Sequence, residues 1–218
     1  MKTTDNQHIS EFDRFKKPAS STSIDRYVIA NTWTKQKTVL DAATGYGYGA
    51  GILLSLGASR VVGIDIDADA VNDANDRYQS SKLEFKVCDI FNLNETFAEN
   101  EFEVCTSIET FEHLPPERID DYLQSLKKVT SETIFITTPR RKTAEWVYDG
   151  GTHLYEYNPQ EFITVLQRNF PDDEVSGFGI IEVPLKVNIE GFPPQWGTTF
   201  TSNLEEAWVM VGVVNLKK

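Results

Sequence analysis

The chain has 218 residues, 40% apolar and 25% charged, a balance that suits one well-buried soluble domain. No apolar run approaches the roughly 20 residues of a membrane span, and the opening Met1-Lys-Thr-Thr-Asp-Asn lacks the apolar core of a secretory signal, so a cytoplasmic protein is expected. A net charge of −12 repels phosphate backbones at long range and disfavours a nucleic-acid partner, the only dense basic patch being Arg140-Arg141-Lys142.

Residues 1–20 are polar and read as an N-terminal arm or flap, followed by a single domain over 21–218. Ile24, Tyr27, Val28 and Trp33 recur at helical spacing, which predicts an amphipathic helix over Ser23 to Thr34. Lys37 to Ala42 reads as the first strand. A helix over Ala50 to Leu56 is stopped by Gly57. Arg60 to Ile64 is a second strand, and Asp67 to Tyr78 a helix with acids near its positive end. Leu83 to Cys88 and Phe102 to Ser107 are the third and fourth strands. Ile119, Tyr122, Leu123 and Leu126 share one face of a helix over Glu117 to Val129. Thr133 to Thr137 is a fifth strand and Pro159 to Phe170 another helix.

The alternation then changes. Glu174 to Val183 and Ala207 to Val214 are strand-like and flank a Pro/Gly/aromatic insert at about 184–204 with no helix. Two successive strands without a crossover helix predict an antiparallel pair at one edge of an otherwise parallel, doubly wound α/β sheet. Cys88 and Cys105 both fall in predicted strands and read as small buried hydrophobes.

The stretch Val39-Leu-Asp-Ala-Ala-Thr-Gly-Tyr-Gly-Tyr-Gly49 leads from an apolar strand into a glycine turn and a helix. Glycines admit a ligand close to the backbone, and the helix start offers unpaired amides. Asp65 ends the second strand, 20 residues after Gly45, where its carboxylate can take both hydroxyls of a ribose. Dinucleotide folds place a pyrophosphate at such a loop. Asp41 at the loop entrance would repel a pyrophosphate and suits an ammonium. A ligand with an ammonium, a ribose and an adenine is S-adenosylmethionine.

On these residues the chain resembles the class I S-adenosylmethionine-dependent methyltransferases across about residues 20–170. The family's acid-x-Gly-x-Gly-x-Gly motif is Asp41-Ala-Ala-Thr-Gly-Tyr-Gly47 here, with Ala43 in place of the first glycine. The resemblance implies a seven-stranded sheet of order 3-2-1-4-5-7-6 with an antiparallel terminal strand. It implies that Asp41, Ala43, Gly45, Tyr46 and Gly47 lie at the methionine end. Asp65 would hold the ribose, Ile66 and Ile90 would flank the adenine, and Asp89 would contact its amino group. Ser107-Ile-Glu-Thr-Phe-Glu-His113 would line the methyl-transfer chamber. S-adenosylhomocysteine would be the product, and no metal is expected.

For the transfer, His153, His113 and Glu109 are the candidates for base or orienting acid. Arg140 with Trp146 and Tyr148, and Trp196 from the insert, are candidates for holding an acceptor, with an anionic or nucleotide-linked one in view. The reading is O-methylation of a sugar or related polar metabolite by a monomer or homodimer. N-methylation of an amino sugar, a non-catalytic S-adenosylmethionine-binding partner protein and a nucleic-acid methyltransferase are the alternatives.

Overall fold

The computed structural model describes residues 21–141, 152–184 and 196–217. Among the described residues, five α-helices and eight strands follow one another as α1 (Ser21–Thr34), β1 (Thr38–Ala42), α2 (Tyr48–Ser55), β2 (Arg60–Asp65), α3 (Ala68–Arg77), β3 (Leu83–Val87), β4 (Phe102–Ile108), α4 (Ile119–Val129), β5 (Thr130–Pro139), α5 (Pro159–Asn169), β6 (Glu174–Pro184), β7 (Trp196–Thr201) and β8 (Val209–Asn215). The expected elements are present, with ends shifted by a few residues. The arm over 1–20 lies outside the described residues.

The strands form one sheet of order β3-β2-β1-β4-β5-β8-β6-β7. β1 to β5 run parallel, while β8 is antiparallel to both β5 and β6. This is the expected doubly wound sheet, with the last long strand inserted beside β5. The difference is an eighth strand. β7, read from sequence as part of the insert, pairs antiparallel with β6 from Gly179 opposite Thr201 to Pro184 opposite Trp196. Trp196-Gly-Thr-Thr-Phe-Thr201 carries the aromatic and β-branched residues of a strand. Its short run beside Pro and Gly hid that signal, and Trp196 is placed by pairing at the sheet edge.

Alternation along each strand divides the core into two layers. Leu40, Val62, Cys105, Ile134 and Ile136 face α4 and α5 and pack with Ile119, Tyr122, Leu123, Leu126, Phe162 and Leu166. Val39, Val61, Val104 and Phe135 face the other way, onto Tyr27, Ala30, Leu53, Val71 and Ala74. Both cysteines are buried and unbridged. Gly57 takes φ 105° and closes α2, as its position implied. Asp67 caps α3, and a reciprocal Asn158–Glu161 box caps α5. No helix among the described residues is long and apolar enough to cross a membrane.

Candidate active site

Because β1 to β4 run parallel, the segments that follow them gather at one edge of the sheet. The glycine turn after β1 is held from beneath. Asp41 is buried, and its two carboxylate oxygens accept from the Thr44 hydroxyl at 2.6 Å and the Thr106 hydroxyl at 2.8 Å. Burial pushes its carboxyl up to about 6 against the opposing pull of those hydroxyls. The sequence reading set Asp41 toward an ammonium; in the structure its carboxylate is buried and anchors the loop. The loop turns through left-handed residues Ala43 (φ 59°), Gly45 (φ 56°) and Gly47 (φ 80°). Gly47 and Gly49 also serve packing, since a β-carbon on either would overlap the Phe85 or Tyr27 ring. Tyr46 is partly exposed above the turn.

Asp65, at the end of β2, is partly exposed and ties two segments together. One oxygen accepts from the Gly45 amide at 2.8 Å and the other from the Asp67 amide at 3.0 Å. Each carboxylate oxygen has a second lone pair, which leaves capacity for ribose hydroxyls. Ile66 beside it is 72% exposed, and Val87, opposite Asp65 on β3, is 54% exposed. Two bare apolar side chains next to a half-exposed acid fit an adenosine, with the carboxylate for the sugar and the apolar pair for the flat base. Val87 escaped the sequence reading, although an apolar residue two positions before Asp89 was its signal. Asp89 accepts from the Phe91 amide at 2.9 Å and Asn92 Nδ2 at 3.4 Å, which shapes the turn after β3. Ile90 is half-buried against the core.

The segment after β4 is shaped by burial. Ser107 is fully buried and accepts from the Tyr122 hydroxyl at 2.7 Å, so it braces α4 to β4. Glu109 sits at φ 53°. One of its oxygens accepts from the Thr137 hydroxyl at 2.9 Å, and the other pairs with Arg26 at 3.1 Å. Arg26 was not singled out from sequence. It lies on α1, 83 residues before Glu109, and no local pattern links the two. Glu112 is buried and accepts from the Thr138 hydroxyl at 3.0 Å. Burial, with the Glu109 charge adding to it, pushes its carboxyl up to about 8.

The structure brings His113 and His153 together, with ring centroids 5.0 Å apart and edge to face. The Glu112 carbonyl accepts from the Leu154 and Tyr155 amides at 2.8 and 3.1 Å, which staples the two segments. His113 Nδ1 lies 3.0 Å from the Thr152 carbonyl, and His153 Nδ1 lies 2.7 Å from Glu156 Oε1. Both acceptors are oxygens without a proton, so each Nδ1 is the donor. Glu112, His113 and His153 each place a ligand atom within 4.8 Å of the others. The sequence reading expected no metal and saw no convincing triad. The fold assembles these three groups from segments 40 residues apart.

Arg140, a candidate for holding an acceptor, is engaged within the fold. Its Nε donates to the Ala207 carbonyl at 2.6 Å and its Nη1 to the Arg141 carbonyl at 3.4 Å, so it clips β5 to the start of β8. Arg141 is buried against Tyr155 and Glu161. Trp146 and Tyr148 lie outside the described residues.

Residues 39–133, which carry the turn, Asp65 and the chamber segment, match a family model described as "Methyltransferase domain". That stretch, under half of the chain, is similar to methyltransferase domains. Methyl transfer from S-adenosylmethionine is the chemistry of such domains, and the half-exposed Asp65 beside Ile66 and Val87 fits the adenosine of that donor.

Solved structures agree on the fold. A S-adenosylmethionine-dependent methyltransferase from Archaeoglobus fulgidus superimposes with a TM-score of 0.70 at 14% identity, over 96% of this chain and 100% of its own. One from Aquifex aeolicus gives 0.62 at 16% identity over 94% and 97%. Magnesium protoporphyrin IX methyltransferase from Synechocystis PCC 6803, solved with its methyl donor bound, gives 0.59 at 13% over 90% and 79%. No curated protein matches the sequence.

Proposed function

We propose that this chain is an O-methyltransferase acting on a hydroxyl of a small polar metabolite, a sugar or a related compound. The observation that carries the reading is the Glu156–His153 pair packed on His113 at the sheet edge that also holds Asp65. A neutral hydroxyl needs a proton acceptor with a pKa near neutral, whereas an ionised carboxylate acceptor does not. An imidazole oriented through its Nδ1 by a carboxylate offers its other nitrogen for that task. When bound, S-adenosylmethionine supplies an electrophilic methyl group on a sulfonium. Asp65, Ile66, Val87 and Asp89 hold the adenosine, and Gly45 to Gly47 border the methionine end. The His153 imidazole takes the hydroxyl proton, and Glu109, held by Arg26 and Thr137, orients the acceptor.

The internal pairing of Arg140 and Arg141 favours an uncharged small acceptor over the anionic, nucleotide-linked or nucleic-acid ones. Two cations of the densest basic patch are spent on carbonyls, a tyrosine and a glutamate.

The test is radiolabelled methyl transfer by the full-length chain to a panel of sugars, amino sugars and RNA, alongside S-adenosylhomocysteine calorimetry. Label on a sugar hydroxyl is expected. His153→Ala should lower turnover about 100-fold and leave S-adenosylhomocysteine affinity unchanged. Label only on amines or RNA would overturn the acceptor reading, and cofactor binding without any transfer would favour a non-catalytic partner.

A further inference from the structure

The geometry points to a binding site for one divalent transition-metal ion made by Glu112, His113 and His153. Three independent features of the cluster converge on a ligand set. First, the donors are close enough. Two donors about 2.1 Å from one ion lie roughly 3–4 Å apart, and His113 Nε2 lies 3.8 Å from Glu112 Oε1, with all three residues' ligand atoms within 4.8 Å. Side-chain rotations that move the donor atoms by about 1 Å close the remainder.

Second, both imidazoles are set in the ligating tautomer. Nδ1 of His113 is held by the Thr152 carbonyl and Nδ1 of His153 by Glu156, so in the neutral rings Nε2 is the basic nitrogen. Oxygen acceptors on the far nitrogen are the usual outer support of a metal-bound histidine. Third, the frame is preset. The Glu112 carbonyl is stapled to the Leu154 and Tyr155 amides, and the Glu112 carboxylate is steadied by Thr138, so the donors do not need ordering on binding. A single base would explain one imidazole; two imidazoles and a buried carboxylate with ligand atoms within 4.8 Å of one another are more than a base requires.

Two nitrogens and one carboxylate favour manganese, iron, cobalt or zinc over magnesium or calcium. Three protein ligands leave coordination positions for an acceptor oxygen. What the ion would do rests on the O-methylation reading: an ion held there would lower the pKa of a bound acceptor hydroxyl, whose proton would pass to water, and His153 would then serve as a ligand in place of the base. Binding of the ion does not rest on it.

The experiment is calorimetric titration of chelator-treated full-length protein with MnCl2, ZnCl2 and MgCl2. One saturable manganese or zinc site per chain, preferred over magnesium, is expected. The double variant His113→Ala, His153→Ala should abolish it with the folded far-ultraviolet spectrum retained. Glu156→Gln, a change outside the ligand set, should weaken binding about 10–100-fold and covers the case in which the double variant does not fold. Absence of a stoichiometric site in the parent protein, or unchanged affinity in Glu156→Gln and in a folded double variant, would overturn the proposal. S-adenosylhomocysteine titrated separately reports the donor site, so loss of either site is read independently of the other.

Discussion

The Gly45 amide donates to Asp65 Oδ2 at 2.8 Å, so the residue proposed to hold the ribose also fixes the loop that follows β1. One carboxylate joins the ends of two parallel strands and the N-cap of α3 through the Asp67 amide. A site residue of this kind is also a structural one.

Asp65→Ala therefore has two expected effects. S-adenosylhomocysteine affinity should fall more than about tenfold, since hydrogen bonds to a charged group contribute roughly 1.5–3 kcal/mol each. The melting temperature should fall as well, because two backbone amides lose their acceptor. Calorimetry and thermal unfolding measure both. Unchanged affinity would remove Asp65 from the donor site.

Ala43 occupies a left-handed conformation, φ 59°, where the family motif has glycine. A β-carbon in that region costs roughly 1–2 kcal/mol. Ala43→Gly relieves this cost, offset in part by the greater freedom of glycine in the unfolded chain. The expected outcome is a rise in melting temperature of roughly 2–4 °C, the equivalent of about 1 kcal/mol. A fall would show that the methyl group contributes packing that outweighs the strain.

The Asp41 carboxyl is raised from 3.8 to about 6 by its burial. A group that binds its proton more tightly when folded stabilises the fold at low pH. That contribution is complete below the unfolded value and is lost as pH rises through the folded one. Asp41→Asn keeps the shape and removes the charge. The stability difference between variant and parent should grow in the variant's favour from pH 4 to pH 6 and then level, by about 3 kcal/mol at most. Denaturant titrations across that window check it, and a difference independent of pH would refute the raised value.

Arg140→Ala should act on the fold and not on the ligand. Losing the Nε bond to the Ala207 carbonyl leaves that acceptor unsatisfied, at a cost of about 1–3 kcal/mol. The melting temperature should drop while the acceptor Michaelis constant and S-adenosylhomocysteine affinity hold. A raised Michaelis constant at unchanged stability would restore the acceptor-binding role.

The order of strands and helices was legible because period and turn chemistry are local. Ile119, Tyr122, Leu123 and Leu126 announced the buried face of α4, and all four are buried. The meeting of the glycine turn with Asp65 was legible for a related reason. A strand, a turn and an acid at the end of the next strand are neighbours in sequence as well as in space. β7 was not legible, because an edge strand is stabilised by its partner β6 more than by its own short pattern.

The sequence by itself determined the sheet class, the glycine turn and the position of Asp65, all of which follow from side-chain period and backbone sterics within a few tens of residues. Only the tertiary structure decided that Asp41 is an anchor, that Arg26 meets Glu109, that Arg140 clips two strands, and that Glu112, His113 and His153 converge. The reason is physical: those outcomes depend on burial and on hydrogen bonds between segments tens of residues apart, and neither quantity is a property of a sequence window.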